Sequence, residues 1–235
     1  MTAGIPILRP GERRPTFATP ITPAKIANEK GTRLILLGTG GGPFITERRS
    51  KTAYLLVVDG RHYLIDCGEG TPRQLKRAGF EQSDVARMFM THLHLDHAQG
   101  LASLIGSNWV SGQRQPLEIF GPPGTETMVA KGIDYLSTAA AIHSAQFPPH
   151  PTMAQLVHAH DKDISGREMI YEDDRIRVFA VENTHYVTLK MSEQPYGHVR
   201  SYSLRIETPI ASSPSPETRG PAMPLSTWPR GPTSL

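Results

Sequence analysis

Residues 85–97 read VARMFMTHLHLDH, an apolar run that breaks into three histidines and an aspartate within six positions. A helical pattern resumes at once in residues 98–110, AQGLASLIGSNWV. That order restricts the fold more than any other feature of the chain. The run over residues 85–92 reads as a buried-type strand, which needs packed layers around it. The charged residues then fall where that strand ends and the next helix begins. In an extended segment, positions i and i+2 point to the same side. His92 and His94 can therefore reach one ion, while Asp96 and His97, in the turn, can face a neighbouring one. Imidazole nitrogens with a carboxylate suit Zn²⁺, with Mn²⁺ or Fe as alternatives.

Two further residues join this cluster by position. His185 ends the apolar strand of residues 175–185 (RIRVFAVENTH) and follows Thr184, as His92 follows Thr91. Open α/β sheets present functional groups at strand ends, so His185 is expected to be a ligand. Asp66 ends the strand in YLIDCG, where a carboxylate can accept the second ring N–H of a ligating histidine and fix its tautomer. The other histidines read as bystanders. His158 and His160 belong to a solvated strand or loop, His143 and His150 to exposed ground beside a Pro-rich loop, and His62 to the surface just after a turn.

The remaining elements give an α/β class. Residues 32–38 (TRLILLG) read as a strand, and 52–68 as a hairpin turning at Asp59-Gly60, a favoured two-residue turn. Residues 72–80 have helical spacing, 116–124 form a strand with a turn, and 200–208 a last strand. Three zones follow: an irregular, Pro-punctuated lead-in over 1–31, a globular domain over 32–209, and a tail over 210–235. The tail holds six prolines and five serines in 26 residues, which no helix or strand can run through. The GTGGGP stretch at 38–43 is not a dinucleotide loop, because Pro43 follows the glycines and no helix begins there. Hydrophobic residues make up 38% of 235, enough for a packed core, and a formal charge of +3 does not point to nucleic acid by itself. One cysteine, Cys67, excludes an internal disulfide framework. No apolar stretch approaches the roughly 18 residues of a membrane span, and no secretory h-region precedes the domain. A cytoplasmic protein without membrane contact is expected.

The THLHLDH stretch, with LIDCGEG before it, resembles the signature of the metallo-β-lactamase-fold superfamily. Together with LLGTGGGP, RRSKTAYLLV and LIDCGEGTPRQL, it is most similar to the ribonuclease Z branch. The resemblance spans residues 32–209 and implies a four-layer αββα sandwich with two zinc ions on one edge. It assigns His92, His94 and His185 to one ion, Asp96 and His97 to the other, and Asp66 to the carboxylate behind them. It also implies that Asp96 orients or deprotonates the attacking water. A metal-dependent hydrolase of a phosphodiester, RNA or a small molecule, is the expected function, with a homodimer as a candidate assembly. A lactone, thioester or sulfate ester on the same fold is the alternative, and an inactive remnant is another.

The family pattern also needs a bridging aspartate and a further histidine, and neither has a match before the tail. We therefore expect the fold to be incomplete at its C-terminal side, by truncation or by a shifted reading frame. Taking the third base of each codon with the first two of the next permits Gly-Asp-Thr-Gly-Pro-Ser-Asp-Ala from Pro216 onward, close to the missing turn. A site lacking those ligands is expected to hydrolyse esters poorly.

Overall fold

The structure, a computed structural model, describes residues 30–113, 115–146 and 150–208. Nearly all of the lead-in, the whole tail and its proposed frame shift lie outside the described residues. Chain order begins with three antiparallel strands, β1 (Thr32–Gly38), β2 (Ala53–Val58) and β3 (Arg61–Ile65). The β2–β3 turn is the expected one. Asp59 and Gly60 have φ of 46° and 80°, the left-handed pair a two-residue turn of this kind requires.

Three parallel strands follow: β4 (Val85–Phe89), β5 (Leu117–Gly121) and β6 (Val157–Asp161). Helical crossovers separate them, as parallel pairing demands. These are α1 (Thr71–Ala78), the single turn α2 (Leu95–Ala98), α3 (Leu101–Val110), α4 (Thr125–Gln146) and the single turn α5 (Met153–Leu156). The six strands form one sheet in the order β1-β2-β3-β4-β5-β6. A second, antiparallel sheet contains β7 (Arg167–Glu172), β8 (Arg177–Glu182) and β9 (Tyr202–Glu207).

Strand alternation sorts the core into two layers. Leu55, Val57, Leu64 and Met88 face the helices with Leu75, Leu104, Ile105 and Trp109. Leu56, Val58, Tyr63, Ile65 and Phe89 face the second sheet, against Ile170, Val178, Ala180 and Tyr202. The described residues thus supply an α–β–β stack, three of the four expected layers. Leu34 and Leu36 pair with Leu56 and Tyr54 and share their face, yet are 60% and 59% exposed. The three-stranded sheet does not reach over β1.

One sequence expectation is corrected here, and two features are new. His62 is buried, not on the surface: it shares the helix-side face of β3 with Leu64, and its ring lies edge-on to Phe80. Burial holds its pKa below the ordinary value. The 22-residue helix α4 had no counterpart in the sequence reading. His158 and His160 do lie on a strand, but both imidazoles are held by Glu118 of β5, at 2.9 and 2.6 Å.

Candidate metal centre

The parallel strands deliver one edge of the sheet to the site. Backbone pairing of β4 ends with Met90 N–H donating to the Phe120 carbonyl, and the next amide, Thr91, donates instead to Asp66 Oδ1 at 2.7 Å. The chain then runs extended to His94, which starts the turn α2. Backbone hydrogen bonds fasten this turn to the end of β3 and its neighbours. Thr52 N–H donates to the Asp96 carbonyl, Cys67 N–H to that of His97, and Gly100 N–H to that of Cys67, at 3.1, 2.7 and 2.8 Å. Glycine is needed for such closeness. A Cβ on Gly100 would lie 2.2 Å from the Gly68 carbonyl oxygen, and one on Gly68 would lie 2.3 Å from that of Asp96.

Asp66 organises the polar core of the site. It is buried and sits at φ 57°. Its carboxylate accepts the Thr91 hydroxyl at 2.8 Å and His97 Nδ1–H at 2.7 Å. Because the Thr91 hydroxyl proton is spent on Asp66, its oxygen accepts His92 Nδ1–H at 3.0 Å. Both partners require the tautomer that leaves Nε2 with a lone pair. His97 Nε2 lies 3.7 Å from Asp96 Oδ2, and the His92 and His97 rings are 3.9 Å apart.

The facing wall comes from the second sheet. After β8, Asn183 caps a single 3₁₀ turn, Thr184–Tyr186, by accepting His185 N–H at 3.0 Å. His185 Nε2 reaches 3.1 Å from His94 Nδ1. The donor atoms of His92, His94 and His185 all lie within 4.8 Å of one another, the one such group among the described residues. Burial and the neighbouring imidazoles of His97, His185 and His94 push the His92 pKa down to about 3, and burial with His185 lowers His94 as well. These rings are kept neutral, the form that binds metal. The donor set, neutral imidazoles with one carboxylate nearby, fits a divalent ion of the zinc type. The rings line a cleft of about 1190 Å³ between the two sheets, with Gly41, Gly42, Asp96, His97 and Ser201 among its walls.

Three contributors escaped the sequence reading. Thr91 relays Asp66 to His92. Tyr186, half-buried, accepts Leu93 N–H at 3.2 Å and packs beside His92, His94 and His185 with ring centroids 5.7, 5.0 and 5.5 Å away. Lys51, fully buried, donates its ammonium to the carbonyls of Gly42 at 2.7 Å and of Phe44, and so shapes the glycine loop beside the cleft. The repeated Thr-His pair hinted at Thr91. A lone aromatic and a lone lysine carry no sequence pattern.

A family model described as anti-Pycsar protein Apyc1 matches residues 32–214. The chain belongs to that family. Other comparisons find the Apyc1-family chain similar in sequence to ribonuclease Z proteins and in fold to metallo-β-lactamase-fold structures. A ribonuclease Z of Methanosarcina acetivorans is 35% identical over 119 residues, which covers 50% of this chain and 39% of that protein. One of Bacillus licheniformis is 32% identical over 154 residues, covering 65% and 45%. The chain therefore spans less than half the length of these two relatives. Among solved structures, the short form of human tRNase Z superposes with a TM-score of 0.55 at 22% identity, covering 74% of this chain and 64% of that one. The metallo-β-lactamase-fold protein YhfI of Bacillus subtilis gives 0.50 at 15%, covering 75% and 57%. At these identities the likeness is one of fold. Among the described residues, no helix is long and apolar enough to cross a membrane.

Proposed function

We propose that this chain carries the metal centre of a metal-dependent phosphodiesterase, with RNA or a small phosphodiester as substrate. The observation that carries the proposal is the convergence of His92, His94 and His185, with their ring nitrogens within 4.8 Å of one another in an open cleft. Those three would hold one ion, zinc first and Mn²⁺ or Fe as alternatives, and Asp96 with His97 would contribute to a second. A bound divalent ion would supply Lewis acidity, making water acidic near neutral pH and drawing charge from a phosphoryl oxygen.

The chain's own residues do the rest. Asp66 and Thr91 fix the rings of His97 and His92 so that their Nε2 atoms face the cleft. Asp96, whose carboxylate lies beside His97 Nε2, is placed to orient an attacking water and take its proton. The likeness to ribonuclease Z proteins supports a phosphodiester over other esters. A cytoplasmic setting is part of the proposal, since a single cysteine supports no internal disulfide, and so is a homodimeric assembly.

The test is metal content after zinc loading and desalting, measured on the parent chain and on His94→Ala. The variant is expected to lose most of the bound zinc. Equal zinc in both would remove the assignment. Turnover of bis(p-nitrophenyl) phosphate by the parent, abolished in Asp96→Ala, would extend the result from binding to hydrolysis.

A further inference from the structure

Lys51 is a buried cation, 1% exposed, with no carboxylate partner among the described residues. Its ammonium donates instead to three carbonyls of one loop, those of Gly41 at 3.4 Å, Gly42 at 2.7 Å and Phe44. Burying an ammonium against carbonyls alone costs more than an apolar side chain of the same length would. The charge therefore serves something other than packing. Its root is firm. Lys51 N–H donates to the Glu69 carbonyl at 3.0 Å, and Gly40 N–H to that of Ser50 at 2.9 Å.

The far side of the same loop faces the metal centre. Gly41, Gly42 and Pro43 form part of the wall of the histidine cleft. A trans peptide unit carries its C=O and N–H on opposite edges, and the described backbone has no cis peptide. With the Gly41 carbonyl turned to Nζ, the Gly42 N–H points away from Lys51. No acceptor among the described residues takes the Gly41 or Gly42 N–H. Gly42 is left-handed, with φ of 73°, and turns of that kind gather backbone N–H groups into anion-binding concavities. The loop keeps its carbonyls with the ammonium and has donors left over at the cleft.

We infer that Lys51 is a positioning residue: by drawing in the loop carbonyls, it holds the Gly42 N–H as a donor to a non-bridging oxygen of the phosphate in the histidine cleft. The inference rests on the proposed function, which puts a phosphodiester in that cleft. Hydrogen bonds to a charged oxygen are about twice as strong as neutral ones, and a donor fixed before the substrate arrives costs no reorganisation.

The test is titration of the zinc-loaded full chain with inorganic phosphate, followed by proton–nitrogen NMR and by calorimetry. The Gly42 amide proton is expected to move downfield as phosphate saturates, the mark of a new hydrogen bond. Lys51→Met keeps close to the length of the side chain and drops the charge. It should bind phosphate about tenfold more weakly, the loss expected for one hydrogen bond to a charged group, while its zinc content stays as in the parent. A purely structural lysine would lower zinc and phosphate together, and that result would overturn the positioning role. Parent-like phosphate affinity in Lys51→Met would overturn it as well. The NMR titration uses the parent alone, so it decides the matter where the variant fails to fold. Phosphate bound with the Gly42 amide unmoved overturns the donor and leaves the metal centre standing. A zinc-loaded parent that binds no phosphate overturns the donor together with the phosphodiester reading.

Discussion

The two walls of the histidine cleft are built in opposite ways. The wall after β4 is fastened at every step, by three backbone hydrogen bonds to the end of β3 and its neighbours and by the buried Asp66 network. The wall after β8 is a single exposed turn, held by the Asn183 cap and by the ring of Tyr186. One wall can keep its donor atoms in place without a ligand. The other can move relative to it at little cost, because few buried contacts hold it. A site made this way has a fixed template on one side and an adjustable closure on the other.

The largest expected effect breaks the template. Asp66→Ala strips the acceptor from Thr91 N–H, the Thr91 hydroxyl and His97 Nδ1–H, all in a buried setting. It should destabilise the metal-free chain by about 3–5 kcal/mol in urea unfolding. His185→Ala, at an exposed position, should change it by no more than about 0.5 kcal/mol. Similar losses from both would erase the distinction between the walls.

A smaller effect is read from pH. The folded state holds the His92 pKa near 3, against an ordinary 6.5, so between those values the unfolded chain binds a proton that the folded chain refuses. Stability of the metal-free chain should therefore fall as pH drops below about 6.5. From pH 6.5 to 5 the loss should be about 2 kcal/mol at most, set by the limit of 1.4 kcal/mol per pH unit for one proton. His94 adds in the same direction. Unfolding midpoints at pH 7 and 5 check this, and a His92→Gln chain with an unchanged slope would show that another group is responsible.

The smallest effect sharpens the closure. Tyr186→Phe keeps the ring against the histidines and removes the hydroxyl that accepts Leu93 N–H. A cost of about 0.5–1.5 kcal/mol in urea unfolding is expected. A neutral result would mean that the ring alone fixes the His92–His94 segment.

The fastened wall was the legible one. His92, His94, Asp96 and His97 sit in a short stretch whose spacing itself states which side chains share a face, and the Asp59-Gly60 turn announces the hairpin that brings Asp66 to the edge. The structure brings all of these together with His185. What the sequence concealed was carried by long-range contacts. In α4 the positions that pack on the core, Val129, Ile133, Leu136 and Ala140, are mostly only half-buried, and the exposed Tyr135 and Ile142 blur that stripe in the sequence. His62 follows a turn, and only its parity with Leu64 reveals that it faces inward. Glu118 lies 40 residues from His158, too far for any local pattern to pair them. The fourth layer and the tail are not among the described residues.

Gly68 and Gly100 also set the routes by which this scaffold can change through mutation. Every substitution at either position adds at least a Cβ, and that atom would fall 2.2–2.3 Å from a carbonyl oxygen. Such variants must shift the backbone that holds the ligand turn before their chemistry can be tried. Thr188, Lys190, Ser192 and Glu193, in the loop beyond His185, are exposed on all counts and accept replacement freely. Divergence toward new substrates is channelled into that loop, so descendants of this chain would share their ligand turn and differ beside it.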